Sequence, residues 1–171
     1  RSWVQRHTGR TLADLEQRYT LNQLQRFEAV LNRHGRSLRM FASLLEFGCG
    51  EGRLTRYLFD AAPEAAIWGC DVRPEAIDAC RKTLPGGRFF LNRPTPPLDR
   101  EDGSFDGIVS YRVFTHLSDP NHLAWLRELA RLLRPGGVML HTVHSELYVR
   151  RAAMFSPHSL AKYGFPESPE A

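Results

Sequence analysis

Three glycines at alternate positions, Gly48, Gly50 and Gly52, follow directly on the apolar run that opens LLEFGCGEGRL, residues 44–54. Glycine loses more backbone freedom on folding than any other residue, so a cluster of it belongs where main chain turns sharply or passes close to something. A buried strand over residues 43–47 that runs through such a turn into a helix meets this condition, and the rest of the chain repeats the same alternation. Residues 21–32 carry Leu24, Phe27 and Leu31 at helical spacing, with Gly35 beyond them as a stop. After the glycines, Leu54, Tyr57 and Leu58 mark a helix that starts near Gly52 and is closed by Pro63. Residues 65–70 read as a second strand ending in Asp71. Pro74 then opens a helix to about Lys82, and Pro85-Gly86-Gly87 stops it. Residues 88–91 and 105–110 read as further strands, separated by a loop that contains Pro94, Pro96 and Pro97. Ser118, Asp119 and Pro120 announce a helix with Leu123, Leu126, Ala130 and Leu133 on one face; Pro135-Gly136-Gly137 ends it before a fifth strand over residues 138–143. Continuous apolar strands alternating with helices predict an α/β fold, a doubly wound, mainly parallel sheet of at least five strands with helices on both faces.

With 171 residues, 42% of them hydrophobic, the chain has the material for one core and not for two. Its net charge of +4 raises the question of an acidic partner, yet all but Lys82 and Lys162 of the 23 basic residues are arginine. They are spread along the chain rather than gathered in a run, which favours a solvated surface over a nucleic-acid patch. Cys49, Cys70 and Cys80 include no CxxC pair, so neither a disulfide framework nor a zinc site is expected, and a reducing compartment, the cytoplasm, is the simplest setting. No membrane span and no signal peptide are read. The first residue is not methionine, and a processed or excised piece of a longer polypeptide is expected.

In an open parallel sheet, ligands bind beyond the carboxyl ends of the strands, where strand order reverses, and the glycines lie at such an end. There they let backbone pass close under a ligand, while the helix that follows offers unpaired N–H groups to a carboxylate or phosphate. Asp71 ends the next strand, nineteen residues after Gly52. A carboxylate so placed accepts hydrogen bonds from the vicinal hydroxyls of a ribose, so loop and acid together predict a nucleoside-bearing cofactor. A tight strand-to-helix turn with no ligand is the plain alternative.

Arg53 stands where a dinucleotide-binding GxGxxG fingerprint needs its third glycine; the spacing here is GxGxG, with Glu46 ahead of it. This resembles the first motif of the class I S-adenosylmethionine-dependent methyltransferases, which have a Rossmann-like fold. DVRPEAIDACR, DGSFDGIVSYRVFTHL and LARLLRPGGVMLHT are similar to the family segments that follow in the same order. The resemblance covers roughly residues 43–145. It implies that Glu46 steadies the loop, that Gly48, Cys49, Gly50 and Gly52 pass beneath the methionine part of S-adenosylmethionine, that Asp71 holds the ribose and that Val72 packs on adenine. Asn92 stands where many members have an aspartate that contacts the adenine amino group, and an amide oxygen still accepts from an amine. Ser110 and Tyr111 fall near the sulfonium, Tyr111 being equally readable as an aromatic cap on the sheet.

Methyl transfer asks a protein mainly to align an acceptor and exclude water, so catalytic residues are few. Where the acceptor must lose a proton, histidine is the expected base. Position after the strands favours His116 and His144; His141 reads as a packed, hydrogen-bonded neighbour of the core and His122 as helix surface. Tyr111, His116 and His144 are therefore the catalytic candidates. The base-methylating Asn/Asp-Pro-Pro-aromatic segment, the paired glutamates of protein arginine methyltransferases and the metal-holding carboxylates of catechol-type enzymes all have no match in SYRVF. A small-molecule acceptor methylated on O, N or C remains, with RNA left open by the arginines and no metal expected. Tyr19 and Arg18 are placed to reach the cofactor carboxylate from the amino-terminal region, with a plain surface and helix-packing role the favoured reading. Residues 1–42 form a helical segment capping the site, 43–145 the cofactor-binding core, and 146–171, helix-like over 146–154, part of an insertion or tail. The last two of the family's seven strands find no counterpart, so an oligomer or further chain is expected to cover the edge of strand five. The alternative to an enzyme, or to the cofactor-binding part of one, is a non-catalytic domain that keeps the fold as scaffold or cofactor sensor.

Overall fold

Thr11 starts the first helix earlier than the apolar period suggests. Its hydroxyl accepts the amide of Asp14 at 3.1 Å and its own amide donates to the Asp14 carboxylate at 2.8 Å, a reciprocal cap that sets α1 at Leu12–Arg33. This geometry belongs to a computed structural model that describes residues 11–145; residues 146–171, with the expected helix over 146–154, lie outside the described residues.

A short 3-10 turn, Leu38–Met40, leads into β1 (Ser43–Phe47). Then follow α2 (Thr55–Ala61), β2 (Ala66–Asp71), α3 (Pro74–Thr83), β3 (Arg88–Leu91), β4 (Phe105–Ser110), α4 (Asp119–Leu132) and β5 (Leu133–His141). The five strands form one sheet in the order β3-β2-β1-β4-β5, every pair parallel. The chain therefore reverses direction across the sheet between β1 and β4. Alternate residues of β1 serve opposite faces. Leu44 joins Phe27, Leu31, Leu58, Ile67 and Val109 on one side, while Leu45 and Phe47 join Phe105, Ile108, Trp125, Leu129 and Leu132 on the other. Both sides are thus closed by helices, as expected from strands with no polar face.

Three local expectations are corrected. The helix after the glycines begins at Thr55, not near Gly52, because the Gly52 amide donates to the Cys49 carbonyl at 3.0 Å and keeps residues 49–52 in a turn. In α4 the inward stripe is Trp125, Leu129 and Leu132; Leu123 is 55% exposed and Ala130 is exposed as well. The chain is already extended at Leu133, so Pro135-Gly136-Gly137 does not stop a helix. It forms an irregularity inside β5, which pairs Leu133 with Phe105 and then resumes at Val138 opposite Gly107.

The loop between β3 and β4 is held by α4. The Glu128 carboxylate accepts the amide of Leu98 at 2.7 Å and the Arg131 guanidinium at 2.6 Å, and Arg131 also donates to the Arg100 carbonyl at 3.0 Å. The Trp125 indole donates to the Pro94 carbonyl at 3.1 Å. Among the described residues no helix is long and apolar enough to cross a membrane.

Candidate functional site

Where β1 and β4 diverge, their carboxyl ends border a cavity of about 720 Å³, and a second, more apolar one of about 290 Å³ adjoins it. Gly48, Asp71, Arg112, Val113 and His116 line both, so the two are lobes of one crevice at the switch point of the sheet.

The three glycines have different reasons to be there. A Cβ on Gly48 would stand 2.1 Å from a methyl of Val113, and one on Gly52 would stand 2.5 Å from Leu84. Both sites are closed by the protein's own packing. At Gly50, with φ +52°, the nearest atom to such a Cβ is the Arg73 guanidinium at 3.6 Å. Gly48 and Gly50 both line the larger lobe, and at Gly50 the positive φ rather than crowding favours glycine. The loop amides are largely engaged: Gly48 and Cys49 donate to the Cys70 carbonyl at 2.8 and 2.9 Å, and Gly50 donates to Asp71 at 2.8 Å. The amides of residues 48–50 are thus spent inside the protein, and side chains carry recognition at that part of the loop.

Asp71 sits at the junction of the lobes. Besides the Gly50 amide, its carboxylate accepts the Arg73 amide at 3.0 Å and pairs with the Arg73 side chain at 3.5 Å. That guanidinium is half exposed, so the pair is weak and the carboxylate is open to exchange partners. In the smaller lobe Val72, 48% exposed, lies with Pro94, Leu117 and Trp125 around Asn92. The Asn92 amide donates to the Arg93 carbonyl at 2.8 Å, while its Oδ1 is buried with no hydrogen-bond partner. An apolar slot with one unsatisfied acceptor suits a flat heterocycle bearing an amine.

Glu46 lies at the floor of the larger lobe, 2% exposed, its carboxylate accepting the Thr55 hydroxyl. Burial pushes its pKa up to about 8, the Asp71 charge adding to the effect and the Thr55 hydrogen bond opposing it. Glu46 is neutral at pH 7 in this state. Cys49, also on the larger lobe, is buried, and burial raises its thiol far out of the physiological range.

Tyr111 lines the larger lobe and also packs on the core. His116, exposed at the end of the 3-10 turn Phe114–His116, borders both lobes. His144 is half-buried beyond β5 and lines neither lobe. Ser110, the last residue of β4, is buried behind the cavity wall with its hydroxyl lacking a partner. His141 and His122 stack around Phe114, at 4.5 and 4.7 Å between ring centroids. His122 is therefore not plain helix surface, and His141 is packed as expected but its Nδ1 is buried without a hydrogen-bond partner, a correction to the hydrogen-bonded reading.

Of the two amino-terminal residues weighed from the sequence, Tyr19, 66% exposed, lines the larger lobe and Arg18 does not. Sequence reasoning missed others: Glu16 and Thr20 bring α1 to the larger lobe with Tyr19, and Glu16 pairs with Arg53 of the glycine loop at 2.9 Å. Arg73, Val113 and Arg112 complete the junction. The Asp-Val-Arg run after β2 was a signal for Arg73; nothing in the sequence marked Arg112.

A sequence model of the family described as "Methyltransferase domain" matches residues 45–139, more than half of the chain. The chain is 32% identical over 104 residues to a ribosomal RNA small subunit methyltransferase C of Shewanella sediminis, covering 58% of this chain and 30% of that protein. It is 36% identical over 104 residues to a trans-aconitate 2-methyltransferase of Methylobacterium nodulans, covering 57% and 36%. The chain thus spans about a third of the length of these curated relatives. The fold superposes on PKMT2 of Rickettsia typhi, solved in complex with AdoHcy, with a TM-score of 0.56 at 24% identity over 71% of this chain and 25% of that one. With the family segments in order along one sheet and its crevice at the switch point, the chain belongs to the class I S-adenosylmethionine-dependent methyltransferase family.

Proposed function

We propose that the chain binds S-adenosylmethionine in the two-lobed crevice and serves methyl transfer to a small-molecule acceptor. The observation that carries this reading is Asp71 between a polar lobe and an apolar one that holds the unpartnered Asn92 Oδ1. When bound, the cofactor supplies an activated methyl group on a sulfonium. Asp71 exchanges the Arg73 side chain for the ribose hydroxyls, Val72, Pro94 and Leu117 flank the base, and Asn92 Oδ1 accepts from its amino group. Gly50 leaves room for the chain that carries the sulfonium, above a Glu46 whose neutral carboxyl adds no charge to the floor. Tyr111 and His116 stand on the acceptor side. His116, which borders both lobes, is a stronger candidate base than His144. Helix α1 closes the larger lobe through Glu16 and Tyr19, in keeping with a capping role for the amino-terminal segment.

The small-molecule reading is supported by the likeness to a methyltransferase named for trans-aconitate, and by basic residues engaged locally rather than arrayed as a strip: Arg53 with Glu16, Arg73 with Asp71, Arg131 with Glu128. Calorimetry tests the proposal. S-adenosylmethionine and S-adenosylhomocysteine are expected to bind, and Asp71→Ala to weaken both by about tenfold or more, the worth of charge-assisted hydrogen bonds. His116→Ala is expected to slow turnover and leave cofactor affinity unchanged. Absence of cofactor binding by the native chain overturns the reading in favour of a scaffold, and preferential binding of NAD in favour of a dehydrogenase.

A further inference from the structure

Arg112 is the one residue other than glycine with positive φ among the described residues, at +62°. A left-handed backbone at a long side chain costs free energy that glycine or asparagine would avoid, and such outliers persist where the surroundings enforce them. Here they do. The Arg112 amide donates to the Thr142 hydroxyl at 2.8 Å, and the Thr142 amide donates to the Ser110 carbonyl at 3.1 Å, so the end of β5 clasps the turn from both sides. The next residue, Val113, presses on Gly48. The strained turn therefore sets the boundary between the two lobes.

The other arginines around the larger lobe are paired. Arg53 pairs with Glu16 and Arg73 with Asp71, while the Arg112 guanidinium has no carboxylate within salt-bridge distance among the described residues. It is exposed, borders both lobes and shares the rim with His116 and Tyr111. A guanidinium is a planar fork of donors suited to an oxyanion, most of all to a carboxylate. Glu51 and Asp71 on the same wall disfavour the doubly charged phosphate monoester.

We infer that Arg112 is the acceptor-binding residue of this crevice and that the acceptor is a small molecule carrying a carboxylate, held between Arg112 and His116. This rests on the methyltransferase reading above and narrows its acceptor class. The left-handed turn keeps the guanidinium at the mouth of both lobes, where an anion also meets the positive sulfonium.

The test is an NMR titration of the full chain saturated with S-adenosylhomocysteine, with benzoate, octanoate and succinate as probes, each against its amide, and with phenyl phosphate. Saturable shifts with at least one of the carboxylates and with none of the amides are expected. Arg112→Gln should weaken the carboxylate by about tenfold or more while S-adenosylhomocysteine affinity stays within about threefold. Equal binding of acid and amide, no carboxylate binding at all, an unchanged carboxylate affinity in Arg112→Gln, or tighter binding of the phosphate each overturns the inference. So does a tenfold loss of S-adenosylhomocysteine affinity in Arg112→Gln, which would assign Arg112 to the cofactor's own carboxylate. Failure of the native chain to bind S-adenosylhomocysteine is read separately, because it defeats the methyltransferase reading before any acceptor is added.

Discussion

Glu46 shows how a single side chain couples the floor of the crevice to the stability of the whole. Its neighbours in β1 are Leu45 and Phe47, so a carboxyl at this position is taken out of water with the strand, and Thr55 meets it with both its hydroxyl and its backbone. The folded chain holds this proton up to about pH 8, whereas the unfolded chain releases it near 4.5. Between those values the native state binds more protons than the unfolded one, so stability falls as pH rises: the contribution is fully present below 4.5 and is lost as pH climbs through 8. Glu46→Gln keeps the shape and the hydrogen bond and removes the titration. Thermal melts from about pH 5 to pH 9 should show the wild-type Tm declining relative to the variant, the two curves converging at the acid end. Parallel curves would mean that the carboxylate is charged in the fold. The same residue-scale view separates the glycines: Gly48 and Gly52 are required by protein packing as well as by their positive φ, Gly50 by its positive φ alone.

At the scale of elements, β1, β3 and β4 were legible to the residue, because each is an apolar run bounded by turn residues or a loop. The limits of the helices were not. The Thr11 cap lies ten residues ahead of the visible apolar period, and the buried stripe of α4 includes Glu128, a charge that no hydrophobic pattern marks. In the site, the glycine loop and Asp71 follow from spacing along the chain, and Asn92 from the family resemblance. Val113, Glu16 and Thr20 meet the crevice only through tertiary packing, and a left-handed arginine has no local signature. The Glu128–Arg131 pair decides where the loop wall of the smaller lobe stands, and the hydrogen bond from Arg131 lowers the pKa of Glu128. Arg131→Met would leave Glu128, 8% exposed, without its guanidinium partner and free the Arg100 carbonyl. A loss of about 2–3 kcal/mol is expected in denaturant melts, with nucleoside affinity falling as the Pro94 wall loosens. Adding Glu128→Gln should restore part of the stability by removing the stranded charge. If the single and double variants lose the same amount, the pair is not what fixes the loop.

For the molecule as a whole, strand order sets a gradient of protection. β1 and β4 lie inside the sheet with strands on both sides, and their Leu44, Leu45, Ile108 and Val109 are at most 1% exposed. The edges differ in kind: β3 has four residues, too few to be a long template, whereas β5 spans nine and pairs with β4 alone among the described residues. Residues 137–141 of β5 are each half-buried rather than buried, which is what one covered side and one open side give. An open strand edge of that length offers unpaired N–H and C=O groups to any other strand. Native-state hydrogen exchange separates the outcomes, since amides at an uncovered edge open with small free energies while central ones report global unfolding. For the chain alone, β1 and β4 amides should exchange slowest and those of β5 that point away from β4 fastest, independent of protein concentration. Slowing of the outward β5 amides as concentration rises would reveal a second copy seated on the edge. Slow exchange at every concentration would place further chain there, and the gradient argued from strand order would then be wrong at its outer strand.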